Sequence, residues 1–291
     1  MKSLLLAGLC ALTLVHAAEA PVAPPAFRVL SFNIRYENLS DGVNAWTNRR
    51  EAAAKVIEEQ ADVAGLQEVK PAQRAWLAEK LPQFGVIGVG RKADDTDESV
   101  PVLYRKDRFE VVASGTFWLS ETPEVPASIS WESSLPRICT WVKLRDRKGE
   151  ADKDVLWFYN AHLDHKSKAA REKGLALVHQ RMAAREGADP VILVGDFNSS
   201  DKDTPVKNLV ALEKPALVSI YETLGIPAEG TFHNFTGKAT GGRAIDFILP
   251  QKDAWKIRSG SILKPTYTAP EGETRQVSDH FLIQAVLDPR K

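Results

Sequence analysis

Five short polar motifs each close a run of apolar residues: Ser31-Phe32-Asn33, Leu66-Gln67-Glu68, Asn160-Ala161-His162-Leu163-Asp164, Gly195-Asp196-Phe197-Asn198 and Ser278-Asp279-His280. The fourth is the most informative. Pro190 to Val194 supplies an unbroken aliphatic stretch, which reads as a strand buried on both faces. Residues two apart in an extended chain point the same way, so Asp196 and Asn198 would project into one space from the end of that strand. Oxygen-rich side chains held there suit a hard cation such as Mg²⁺ and the phosphate it carries. The tetrapeptide alone fits an Asx turn equally well; the recurrence of such motifs is what favours chemistry. A sixth stretch, Ala244 to Leu249, places Asp246 inside an otherwise apolar strand. A carboxylate is costly to bury without a partner.

The elements that must position these residues follow from the pattern around them. Strands are expected at Phe27–Tyr36 and Asp62–Val69. A helix between them is expected to start from an Asn48 cap, with Glu51 completing a capping box, and to run to about Gln60. Pro71 opens a second helix to about Leu81. The segments 86–90, 100–105, 111–119, 138–145 and 155–163 follow without long helices between them, so antiparallel pairing is expected. A long helix spans Lys166 to about Arg185, with Ala170, Leu175, Leu177, Val178 and Met182 toward the core. After the 190–195 strand come a short helix near 205–213 and strands at 244–249, 255–263 and 281–287. This order predicts an α/β fold: a four-layer sandwich of two mixed, mainly antiparallel sheets packed face to face, with helices outside.

The chain has 291 residues, 44% hydrophobic and 26% charged, and its 38 basic residues balance 38 acidic ones. A strongly basic nucleic-acid binder is not signalled, although a local basic groove is compatible with zero net charge. Residues 1–20 read as a signal peptide, with cleavage expected after Ala17, followed by a tether at 21–26 and a single domain over 27–288. Once Cys10 is removed only Cys139 remains, so no intramolecular disulfide is expected. No apolar run near membrane-spanning length occurs after position 20. These readings predict a secreted or periplasmic monomer without stable membrane insertion.

Six motifs in this order resemble the endonuclease/exonuclease/phosphatase family, whose deoxyribonuclease I-like members are metal-dependent phosphoesterases. The resemblance runs from about Phe27 to Leu287, and Ser31–Tyr36, Gly42–Trp46, Gly115–Thr122 and Asn160–His165 are similar to a secreted bacterial branch. The resemblance implies that Glu68 ligates Mg²⁺ (with Mn²⁺ as substitute), helped by Asn33 and Asp279. It implies that Asp196 orients or deprotonates the attacking water, that Asn198 holds a phosphate oxygen, and that Asp246 pairs with His280. His162 would donate to a non-bridging phosphate oxygen, with Asn160 and Asp164 on the same face as its supports. Arg137 fits either a phosphate clamp or a packed structural arginine. His165, His179 and His233 read as structural or surface residues.

Two departures from the family pattern stand out. Arg35 occupies a position that is acidic in some family nucleases, and the loop from Arg91 to Ser99 has no glycine, with Glu98 near enough in sequence to approach the site. Trp46 and Trp131 fall in irregular segments and are expected at the rim of the site, as an aromatic wall for a base or sugar ring; Trp118 is expected in the core. The resulting expectation is a secreted Mg²⁺-dependent hydrolase of phosphate esters acting by in-line water attack, with a nucleic-acid phosphodiesterase as the leading substrate reading. The alternatives are a phosphatase or phospholipase-C-like enzyme on a sugar phosphate or lipid headgroup and, more remotely, a non-catalytic binding module.

Overall fold

The computed structural model describes residues 26–149, 154–240, 242–269 and 271–290. The expected signal peptide and all of the tether but Ala26 lie outside the described residues. In chain order the elements are β1 (Phe27–Asn33), a 3-10 turn (Leu39–Asn44), α1 (Trp46–Gln60), β2 (Val63–Gln67), α2 (Pro71–Lys80), β3 (Phe84–Ile87), β4 (Val102–Arg105), β5 (Phe109–Trp118), β6 (Ile138–Asp146), β7 (Val155–His162), α3 (Lys168–Ala183), β8 (Val191–Asp196), α4 (Thr204–Val210), α5 (Ile220–Leu224), β9 (Asp246–Pro250), β10 (Trp255–Leu263), β11 (Thr266–Thr268), β12 (Thr274–Gln276) and β13 (Leu282–Pro289).

Two mixed sheets face each other. The six-stranded sheet has the order β10-β13-β1-β2-β4-β3 and the five-stranded sheet β5-β6-β7-β8-β9; β11 and β12 form a separate ribbon. Each large sheet contains one parallel pair, β1 with β2 and β7 with β8, while its other pairings are antiparallel. A parallel pair needs a crossover, and α1 and α3 supply the two crossovers here. Consequently the carboxyl ends of β1 and β2 lie together, as do those of β7 and β8. The expected run of antiparallel strands is present, but it divides between the sheets: β3 and β4 join the first, β5 to β7 the second.

Side-chain alternation sorts β1 into two cores. Val29 packs between the sheets, whereas Leu30 and Phe32 pack under α1 and α2 with Ala53, Ala54, Ile57 and Leu77. Between the sheets, β7 and β8 meet β1 and β2 with Phe158, Ile192 and Val194. The approach is closest at Gly65, where an added Cβ would lie 2.4 Å from Val194 Cγ2 and 2.7 Å from Asn160 Cγ. On the outer face of the second sheet, α3 buries Ala170, Leu175, Val178 and Met182, with Leu177 half-buried.

The expected capping box does not form. α1 starts three residues earlier, at Trp46, with Ala45 in the N-cap position. The 3-10 turn already sets the direction of the chain there, and Asn48 donates its side-chain N–H to Val43 O instead. The buried Arg49 guanidinium ties this region together by donating to the carbonyls of Asn44, Ile34, Arg35 and Val277.

Candidate active site

The chemistry-bearing side chains meet at one end of the sandwich, around a pocket of about 560 Å³. The second sheet contributes three of them on one rung: His162 of β7 registers with Asp196 of β8, and Asp196 registers with Asp246 of β9. The first sheet contributes Asn33 from the end of β1, Glu68 just beyond β2, and Asp279 and His280 just before β13.

Glu68 and Asn198 reach the site by leaving regular strand geometry. Gln67 faces the inter-sheet space, so strict alternation would turn Glu68 away from it. Glu68 instead adopts a left-handed φ of 63°, and Asn198 one of 47°; Arg35, two residues past Asn33, has φ 57°. Non-glycine residues in this region are uncommon and strained, and such strain concentrates at functional sites.

Asn33 links Glu68 to Asp196. Its Nδ2 donates to Glu68 Oε1 and to Asp196 Oδ2, each at 3.0 Å, and its Oδ1 accepts the Arg35 backbone N–H at 3.0 Å. The second Glu68 oxygen accepts the Tyr36 N–H at 3.1 Å. Ser278 Oγ donates to the Asn33 carbonyl at 2.7 Å, fixing the Ser278-Asp279-His280 segment against β1. Burial, opposed by the charge of His280, and the facing Glu68 carboxylate raise the Asp279 pKa, while Arg35, 3.8 Å away, holds it down. Glu68 and Asp279 both line the pocket, and each carboxylate feels the other's charge, so they offer hard oxygen donors of the kind a divalent cation takes.

His280 Nδ1 donates to Asp246 Oδ2 at 2.9 Å, and His280 Nε2 points toward Asp196 Oδ2 at 3.8 Å. Burial alone would disfavour the imidazolium, but Asp246 and then Asp196 outweigh it and push the His280 pKa up. Burial, and then repulsion from Asp246, push Asp196 up as well. Each group therefore shifts toward its protonated form. Asp196, Asp246 and His280 place donor atoms within 4.8 Å of one another, a grouping that could hold a metal ion. Within that grouping, His280 and Asp246 are already joined by their hydrogen bond.

His162 is buried, and burial together with the charges of Arg137 and Arg91 pushes its pKa well below the usual imidazole range. Its Nε2 lies 3.2 Å from Asn198 Nδ2, and the same amide donates to Leu163 O at 3.0 Å. Asn198 N–H donates to Asp196 Oδ1 at 2.9 Å. With the Asn198 amide donating to Nε2, a neutral His162 ring carries its N–H on Nδ1.

Four of the expected substrate residues do not line this pocket. Asn160 shares the inner face with His162 but sits a rung deeper, fully buried between the sheets. There it donates to Leu66 O at 2.7 Å and Pro101 O at 2.9 Å, and accepts from Gln67 Nε2 at 2.7 Å. Asp164 lies past the strand end and organises the entry to α3, accepting from Ser134 and from the Lys166 and Ser167 N–H groups. Trp46 is core, edge-on to Trp76 at 5.8 Å. Trp131 donates to Glu121 and lines a separate hollow against α3. Arg35 and Arg137 do face the pocket, as do Tyr36, Lys70, Arg91 and Glu98, and Trp118 is buried as expected. His165 also reaches the pocket rim, accepting from Arg137 Nη2 at 2.9 Å. Gln67 sat inside a recognised motif, but only the inter-sheet contact reveals its role.

The profile of the Endonuclease/Exonuclease/phosphatase family matches residues 30–280, and the chain belongs to that family. It is therefore a phosphoesterase of that superfamily. A family member from Bacteroides thetaiotaomicron superposes with a TM-score of 0.83 at 33% identity, covering 93% of this chain and 100% of that one. A mannosyl-6-phosphatase from the same organism superposes at 0.80 with 32% identity, covering 90% and 99%. An uncharacterized protein of Acanthamoeba polyphaga mimivirus is 27% identical over 186 residues, 60% of this chain and 68% of that protein.

Proposed function

We infer that the protein is a Mg²⁺-dependent phosphatase that releases phosphate from a sugar phosphate by in-line attack of water on phosphorus. The observation that carries the chemistry is the joint Asp196–His280–Asp246 arrangement at the pocket floor, with neutral His162 and Asn198 beside it. Asp196 orients the attacking water, and the His280–Asp246 pair carries the proton balance next to it. His162 and Asn198 supply neutral donors to the phosphate oxygens as charge develops. Glu68 and Asp279, with Asn33 between Glu68 and Asp196, are the residues that would hold Mg²⁺, whose part is to neutralise phosphate charge and acidify bound water.

The sugar-phosphate reading gains over the nuclease reading from the two tryptophans. A stacking platform built from Trp46 and Trp131 is absent from this pocket, because one ring is in the core and the other is in a separate hollow. The similarity to a mannosyl-6-phosphatase supports the same choice. The apolar N-terminal run adds the proposal that the enzyme acts outside the cytoplasm. Purified protein with Mg²⁺ should release inorganic phosphate from hexose 6-phosphates. Rapid cleavage of single- or double-stranded nucleic acid, with no phosphate released from sugar phosphates, would restore the nuclease reading.

A further inference from the structure

One wall of the pocket is made by the loop after β3 and the start of β6, and it runs beside His162. Arg91 is buried, and Asp97 accepts from its Nε and Glu98 from its Nη2, both at 3.0 Å. Trp118 Nε1 donates to the Arg91 carbonyl at 2.7 Å, fixing the backbone. Arg137 is also buried; its Nη2 donates to His165, while its Nε lies 3.6 Å from Asp164 and makes no hydrogen bond. Lys70 closes the row by pairing with Asp97 at 2.6 Å.

This wall is polar and its charges are paired. Lys70, Arg91 and Arg137 are matched by Asp97, Glu98 and Asp164. Arg91 Nη1 and Glu98 Oε2 have no partner among the described residues. A planar guanidinium edge beside a carboxylate oxygen offers donors and an acceptor side by side, held rigidly by buried ion pairs. That combination suits neighbouring hydroxyls, each of which donates one hydrogen bond and accepts others. It suits a second phosphodiester poorly, because Asp97 and Glu98 would face the polyanion.

The geometry points to Arg91 and Glu98 as the subsite for vicinal hydroxyls of the leaving group, with Arg137 at its edge. They are specificity-determining residues for a polyhydroxylated leaving group. This inference rests on the sugar-phosphate reading above and adds to it which residues select the sugar.

The test compares mannose 6-phosphate with p-nitrophenyl phosphate, which has no leaving-group hydroxyls. Glu98→Gln and Arg91→Lys are each expected to lower the ratio of kcat/KM values, sugar over aryl, by about tenfold or more, mainly through KM. Free mannose should inhibit aryl phosphate hydrolysis by the unaltered enzyme, a measurement that needs no variant. Equal losses on both substrates in folded variants, or no inhibition by mannose, would overturn the subsite. An unaltered enzyme that hydrolyses the aryl ester but no sugar phosphate would instead overturn the functional reading beneath it.

Discussion

His280 and Asp246 come from opposite sheets, yet Nδ1 and Oδ2 meet at 2.9 Å in a buried contact. The other Asp246 oxygen, Oδ1, is buried without a hydrogen-bond partner. A carboxylate in an apolar strand is tolerated here because it holds a cationic ring from across the interface. The same contact fixes the ring so that Nε2 faces Asp196.

If Asp246 works only through His280, the two losses must not add. Asp246→Asn and His280→Ala should each lower kcat strongly, and the double variant should be little worse than His280→Ala alone. Full additivity in the cycle would separate the two residues.

Glu68→Gln removes a carboxylate from the proposed cation site while keeping its shape. Activity should fall by at least about 100-fold, beyond the range typical of outer-shell partners. The unaltered protein should gain melting temperature on adding Mg²⁺, and Glu68→Gln should lose that gain. An unchanged Mg²⁺-dependent shift in the variant would move the ion elsewhere.

Asn160 is the polar contact that locks the sheets behind the site. Asn160→Ala removes three buried hydrogen bonds. Pro101 O keeps the Leu66 N–H and Gln67 Nε2 keeps Gly65 O, which leaves Leu66 O as the group that loses its side-chain partner, at about 1–3 kcal/mol. A fall in denaturation midpoint with catalytic residues otherwise intact is expected. A variant as stable as the parent would show that water or local movement replaces these bonds.

That residue also shows where sequence reasoning stops. A period of two correctly put Asn160 and His162 on one face, but all eight residues of β7 are buried. With both faces covered, the pattern carries no depth signal, so the inner rung could not be told from the outer one. Strand-end motifs such as Asp196 to Asn198 were legible because a few adjacent residues define them. Glu68 depends on a left-handed backbone that no local pattern announces. The α1 capping box was misplaced because Asn48 and Glu51 satisfy the pattern locally, whereas the preceding 3-10 turn and the packing of Trp46 decide where the helix begins.

At the far end of the sheets, Asp62 accepts from the Arg28 backbone and side chain at 2.8 Å and lies 3.4 Å from Arg105. Burial opposes the charge, but the Arg28 hydrogen bonds and the nearby guanidiniums outweigh it and lower the Asp62 pKa. The unfolded carboxyl titrates near about 3.9. The native state therefore binds fewer protons, so this stabilisation is complete above that pH and is lost as pH falls through the lower native pKa. Asp62→Asn should be less stable at neutral pH and lose less on acidification. Parallel stability curves from pH 7 down to pH 3 would remove Asp62 from the acid response.

The last prediction sets two tryptophans against each other. Trp46 is 3% exposed, packs on Trp76 and lies under the Arg49 guanidinium at 5.2 Å. Arg49 also holds the carbonyls of Ile34 and Arg35 beside the site. Trp46→Ala should therefore cost about 3–5 kcal/mol of stability through a core cavity, and activity should suffer through the displaced Arg35 loop. Trp131 lies in a hollow with Lys173 of α3 over its ring at 5.7 Å, and its backbone carbonyl accepts from Ser167 Oγ at the α3 N-cap. Trp131→Ala keeps that carbonyl, so KM for a small sugar phosphate should stay within about twofold and the melting temperature should change little. A tenfold rise in KM for Trp131→Ala with Trp46→Ala unaltered in stability would reverse both placements and return the aromatic wall to the rim of the site.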